Sequence, residues 1–206
     1  MRTGVCFRET VTMEFTMRSI GVVRNERTEA IDDDWDRINS RIELDTSILG
    51  PEATDGLRSF SHVEVLFVFH MVDESKVETG ARHPRNNPEW PLVGILAQRP
   101  KARPNRIGST VCELMAVRPN GVIEVRGLDA IDGTPVLDIK PYFAEMGPRG
   151  DVFQPAWSHE LMANYWLDSA AVNGDGPFDA VASPPRSRSN GWQKYSDLRA
   201  MSVRSI

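Results

Sequence analysis

From Val63 to His70 the chain reads Val-Glu-Val-Leu-Phe-Val-Phe-His, β-branched and aromatic almost throughout. Such side chains pack well on a pleated surface and are restricted in a helix, so this run is a strand. Its apolar continuity predicts burial on both faces. Shorter β-rich runs surround it: Ser19 to Arg24, Ser40 to Asp45, Leu92 to Ala97, Thr110 to Val117, Val122 to Arg126 and Val136 to Ile139. Pro119-Asn120-Gly121 is a turn signal that makes a hairpin of the two runs flanking it. Asp132-Gly133 is a second turn of hairpin type. Pro51 to Leu57 fits a brief helix with proline in its first turn. Only Ser158 to Leu167 has the spacing of an amphipathic helix, with Leu161, Tyr165 and Trp166 near one face.

Many strands, short turns and one late helix predict an all-β body: a small closed barrel with short helices and an irregular or helical C-terminal extension. At 206 residues the chain suits one domain rather than two, given about 150 residues per domain. The expected divisions are an N-terminal extension over 1–15, the barrel over 16–146, and a C-terminal extension over 147–206. That extension carries the helix and a mobile Gly-, Pro- and Ser-rich tail from Asn173 onward. With 40% apolar and 26% charged residues the composition excludes a disordered chain. The longest apolar run, Val65 to Phe69, is far below the roughly 20 residues of a membrane helix, and no signal peptide is visible. Cys6 and Cys112 are too few for a disulfide framework or a zinc site, which fits a reducing cytoplasm.

Charge is unevenly placed within a formal net of −5. Glu26 to Asp55 is strongly acidic and includes the loop Ile31-Asp32-Asp33-Asp34-Trp35-Asp36. Ala81 to Gly108 is basic, with Arg82, Arg85, Arg99, Lys101, Arg103 and Arg106 against Glu89 alone. The basic segment could hold a phosphate or a carboxylate. Nucleotide-binding glycine motifs, a nucleophile elbow and a metalloprotease motif are absent, and His62, His70, His83 and His159 lack metal-ligand spacing, so no metal is expected. Three stretches remain as candidates for chemistry. Phe60-Ser61-His62 leads into the main strand, whose polar end places the His70 imidazole at a barrel rim. Gln98 to Thr110 is a loop stiffened by Pro100 and Pro104, with Gly108 permitting close backbone approach. Gly127 to Tyr142 carries Asp129, Asp132 and Asp138.

Phe60-Ser61-His62 through Phe69-His70, the loop Arg103-Pro104-Asn105-Arg106-Ile107-Gly108, and the run from Leu128 to Tyr142 together resemble the TsaA-like, or TrmO, family, over roughly Ile20 to Tyr142. The resemblance implies a small β-barrel that binds S-adenosyl-L-methionine, commonly near a homodimer interface. It also implies methylation of the exocyclic amine of N6-threonylcarbamoyladenosine beside the tRNA anticodon. Carried over by motif, the cofactor contacts are His70, Met71, Arg99, Ser109, Asp132, Gly133 and Thr134. Arg99 can pair the cofactor's carboxylate, and His70 or Asp132 can serve as general base. Arg103 and Asn105 shape the pocket, with Arg82 and Arg85 as further substrate contacts. Where tRNA-modifying members carry Pro-Arg-Gln, this chain has the acidic 31–36 loop. That departure leaves open a small amine-bearing metabolite as acceptor, with Trp35 and its aspartates in the pocket, or a non-catalytic S-adenosylmethionine-binding module.

Overall fold

A computed structural model describes residues 13–166. Six strands close into a barrel: β1 (Gly21–Arg24), β2 (Asn39–Leu44), β3 (His62–Val68), β6 (Ile107–Arg118), β7 (Val122–Arg126) and β8 (Pro135–Pro141). Their order around the barrel is β1-β2-β7-β6-β3-β8, and every neighbouring pair is antiparallel. β4 (Ala81–Arg82) and β5 (Val93–Gly94) form a separate two-stranded ribbon. One α-helix, α1 (Ala156–Met162), follows the barrel. The predicted β-barrel body is what forms, and among the described residues no helix is long and apolar enough to cross a membrane.

Alternation along each strand fills the interior. On β3, Val63, Val65 and Phe67 are fully buried while Glu64, Leu66 and Val68 are half-exposed. This corrects the expectation of two buried faces: a closed barrel offers each strand a single interior, and the outward Leu66 and Val68 are only partly covered. Ile42, Ile123, Val125 and Val136 join the same core from the other strands. Phe67 pairs with Gly108 in the β3–β6 ladder. A Cβ on Gly108 would stand 2.3 Å from Phe67 Cε2, so the ring lies across bare glycine backbone.

The Pro119–Gly121 hairpin forms as predicted and joins β6 to β7. Asp132-Gly133 does not close a hairpin, because β7 lies between β2 and β6 while β8 lies between β3 and β1. It bends a connection that crosses the barrel end, with Gly133 at φ +77°. Leu92 to Ala97 is not one strand. The closed barrel has no edge to offer it, so only Val93–Gly94 pairs, and Ile95–Ala97 is a single 3-10 turn. Pro51 to Leu57 is likewise two 3-10 turns, Pro51–Thr54 and Leu57–Ser59, divided by Gly56 at φ +79°. The late helix is shorter than predicted. The carbonyls of Asn164 and Tyr165 accept from the backbone N–H groups of Asp34 and Trp35, which draws the chain out of helical geometry. Leu167 and the tail from Asn173 lie outside the described residues.

Candidate functional site

Because neighbouring strands alternate in direction, one end of the barrel collects the close of β1, β3 and β7 and the start of β2, β6 and β8. The connections there span 25–38, 69–106 and 127–134. The residues named as cofactor and substrate contacts sit on these connections or on the strand ends beside them, whereas Phe60-Ser61-His62 opens β3 at the opposite end and Asp138 lies within β8.

The three motifs meet. His70 follows β3 and is exposed, and its Nε2 lies 4.0 Å from where a Gly133 Cβ would stand. A Cβ at position 133 would thus stand in ordinary contact with the imidazole. Arg106 joins the proline-stiffened loop to the same strand end: its carbonyl accepts from Phe69 N at 2.8 Å, and its Nη1 donates to Val72 O at 2.8 Å. Arg106 holds a positive φ of 52° and is a clamp that residue type alone did not distinguish from its neighbours. Met71 is 72% exposed. Arg99 is exposed and donates through Nη2 to Ser109 O at 2.9 Å. The Ser109 hydroxyl donates to Glu64 Oε1 at 2.7 Å on the outer face of the barrel.

The Asp132-Gly133-Thr134 corner is stitched to β1. Gly133 N donates to Val23 O at 2.8 Å, and Asp132 Oδ1 accepts from Asn25 N at 3.2 Å. Asp132 Oδ2 stands 3.9 Å from Arg24 Nη1. Thr134 is buried, and its carbonyl accepts from Val23 N. The Asp132 carboxylate is thus already engaged by an N–H and a guanidinium, whereas the His70 ring faces the opening.

The acidic and basic segments face each other. Arg85 grips Asp33 with two bonds, Nη2 to Oδ1 at 2.7 Å and Nη1 to Oδ2 at 3.1 Å. Lys101 Nζ lies 3.5 Å from Asp32 Oδ1. These pairs offset part of the negative loop and take Arg85 out of the set of free cations. Trp35 is 4% exposed beneath the Arg27 guanidinium, 4.0 Å from the ring centroid, so it packs as core and presents no aromatic wall. Arg103 is held only by a long bond to Gln98 O at 3.4 Å, and Asn105 is exposed. Arg82 has a buried Nε without a hydrogen-bond partner, the one such side-chain atom among the described residues.

Sequence reasoning missed a cluster at the end of β7. Asp129 accepts from the Thr110 hydroxyl on Oδ1 and from the Tyr165 hydroxyl on Oδ2. Desolvation raises the Asp129 carboxyl above the usual carboxylate range, against the opposing pull of both hydroxyls and of Arg99. Burial, and then the Asp129 charge, raise the Tyr165 phenol. The same two causes push the Cys112 thiol up to about 12. Cys112 is therefore expected to resist alkylation in native protein at mildly alkaline pH and to react fully in denaturant, as peptide mass mapping of its tryptic fragment will show. Period-2 reading could have placed Thr110 inside the barrel, but nothing in the sequence links it to Tyr165.

The description of the tRNA-methyltransferase O N-terminal domain matches residues 32–147. The chain belongs to that family. It is 38% identical over 125 residues to the human tRNA (adenine(37)-N6)-methyltransferase, covering 61% of this chain and 28% of that protein. A "Probable S-adenosyl-L-methionine-binding protein" of Methanothermobacter thermautotrophicus is 36% identical over 141 residues, covering 67% of this chain and 97% of its own length. The crystal structure of TrmO from P. aeruginosa superposes with a TM-score of 0.58 at 29% identity, over 72% of this chain and 64% of that one. The chain thus spans about a quarter of the mammalian relatives and nearly all of the archaeal one.

Proposed function

We propose that this protein is an S-adenosylmethionine-dependent methyltransferase acting on the exocyclic amine of N6-threonylcarbamoyladenosine beside the tRNA anticodon. The observation that carries the reading is the meeting of the three family motifs at one end of the barrel, with His70 beside Gly133 and the Arg106 clamp holding the stiff loop to β3. The donor set there fits the cofactor. Arg99 offers a guanidinium to a carboxylate, while Asp132, Glu64 and Asp129 supply the negative potential that an ammonium group and a sulfonium require.

Bound S-adenosylmethionine supplies an electrophilic methyl group on a cationic sulfur. Arg99, Ser109 and the 132–134 corner would hold it, with the exposed Met71 available to cover its apolar part. Fixing donor and acceptor in line supplies much of the rate, because the displacement needs little beyond alignment. The acceptor amine must shed a proton as it is methylated, and His70 would take it at Nε2, the nitrogen facing Gly133. Asp132, tied to Asn25 and Arg24, keeps that corner in place and is the alternative base. Arg103, Asn105 and Arg82, all on the 69–106 connection, would contact the acceptor. The burial of Trp35 and the pairing of Asp32 and Asp33 favour a nucleic-acid acceptor over a small amine.

We further infer a homodimer, for which Met71, Leu92 and Leu96 near this end offer exposed apolar surface, and a cytoplasmic setting. The barrel domain is taken as 16–146, flanked by extensions over 1–15 and 147–206. The decisive test is incubation with S-adenosylmethionine and tRNA from a strain lacking the modification. Nucleoside mass analysis should show one added methyl on threonylcarbamoyladenosine, and an unchanged mass overturns the reading. Arg103→Ala should weaken tRNA binding and flatten its salt dependence by about one counterion in a log–log plot.

A further inference from the structure

Residues 156–166 lie beyond the stretch that defines the family, yet they end against its site. Four contacts lead them there. Trp90 Nε1 donates to Glu160 Oε2 at 2.8 Å and anchors α1. Asp34 N and Trp35 N then donate to the carbonyls of Asn164 and Tyr165 at 3.2 and 3.1 Å. Trp166 lies over Gly127, with its Cζ3 3.6 Å from where a Cβ would stand. These contacts aim the Tyr165 hydroxyl at Asp129 Oδ2, while Thr110 serves Oδ1 from within the barrel. Arg99 reaches the carbonyl of Ser109, the residue next to Thr110, so its guanidinium sits at the same corner.

We propose that Tyr165 is a positioning residue of this site: delivered by the C-terminal segment, its hydroxyl fixes the Asp129 carboxylate beside Arg99 and so keeps that guanidinium turned toward the carboxylate of the bound cofactor. The inference rests on the reading of Arg99 as a cofactor contact. A carboxylate whose second oxygen loses its donor has two outcomes in a partly desolvated place. It takes up a proton, or it draws the nearest cation onto itself. Either changes what Arg99 can offer a ligand. The groups facing Asp129 are the Arg99 cation, the hydroxyls of Thr110 and Tyr165, and the Cys112 thiol, with Asp32 acting on Tyr165 from the acidic loop.

The sign of the linkage separates this role from a structural one. A carboxyl raised in the folded state stabilises the fold while protonated, and that contribution is lost as pH rises through its folded value. The charged form of Asp129 is therefore the one that costs the fold. Asp129→Asn should leave the neutral-pH Tm unchanged or higher while weakening cofactor binding.

The experiment uses the full chain and S-adenosylmethionine titrated by calorimetry from weakly acidic to neutral pH, together with carbon NMR of the Asp129 carboxyl. Tyr165→Phe is expected to weaken binding about tenfold, the loss of one bond to a charged group, and to move the acid limb of affinity and the Asp129 titration together to higher pH. Asp129→Asn should abolish that limb. The proposal is overturned if Tyr165→Phe lowers Tm but leaves limb and titration where they were, or if Asp129→Asn retains the limb. A wild-type protein that binds no cofactor sinks the functional reading instead, and the carboxyl titration still tests the Tyr165–Asp129 pair.

Discussion

Gly108→Ala is expected to lower folding stability by about 3 kcal/mol, at the upper end of the cost of overpacking a core. An added Cβ would lie 2.3 and 2.4 Å from Phe67 Cε2 and Cζ, well inside any tolerable contact. Phe67 cannot retreat, because it is fully buried and packs edge-on against Phe69 at 5.2 Å between centroids. Nor can Gly108, held in the β3–β6 ladder opposite it. Denaturant titration should show a lower midpoint with little change in slope. Phe67→Leu in the Gly108→Ala background should restore part of the loss, which no account based on loop flexibility predicts. A domain of this size has roughly 5–15 kcal/mol in total, so the single variant removes a large share. It also loosens the site, since Gly108 is where the proline-stiffened loop becomes strand.

Arg99→Ala should weaken S-adenosylmethionine binding about 100-fold, in the range for removing one partner of a charge-assisted pair, with little change in Tm. The asymmetry follows from exposure. Arg99 is open to solvent, and its one hydrogen bond among the described residues is to the Ser109 carbonyl. Arg99→Lys should recover only part of the affinity, because an ammonium cannot present two parallel N–H groups to a carboxylate. Calorimetry on the three proteins, with thermal melts alongside, checks both halves. Equal affinity in wild type and Arg99→Ala removes the arginine from the site.

The barrel was legible where local chemistry decides structure. Val63 to His70 and the Pro119-Asn120-Gly121 hairpin could be read from residue type and turn signals. What could not be read depends on which strands become neighbours. Asp132-Gly133 looks like a hairpin corner, but strand order separates β7 from β8. Leu92 to Ala97 has strand composition but no edge to join. The site followed the same division. His70 and the 132–134 corner could be singled out because each sits in a motif, and closure of the barrel places them side by side. Asp129 looked like one acid among several until Thr110 and Tyr165, 19 residues before it and 36 after it, closed on its two oxygens. The Arg85–Asp33 grip is equally non-local, and it turned two opposed charge runs into one neutralised contact.

The connections 25–38, 69–106 and 127–134 gather at one end, and the tight β6–β7 hairpin and the 45–61 connection at the other, which gives the molecule two regions that can vary on different terms. Insertions into 25–38, 69–106 or 127–134 leave strand pairing untouched, because lengthening a surface excursion adds little closure entropy. Length and sequence can therefore change in these excursions while the wall of interlocked strands is kept, and 25–38 and 69–106 change together because Arg85–Asp33 and Lys101–Asp32 tie them.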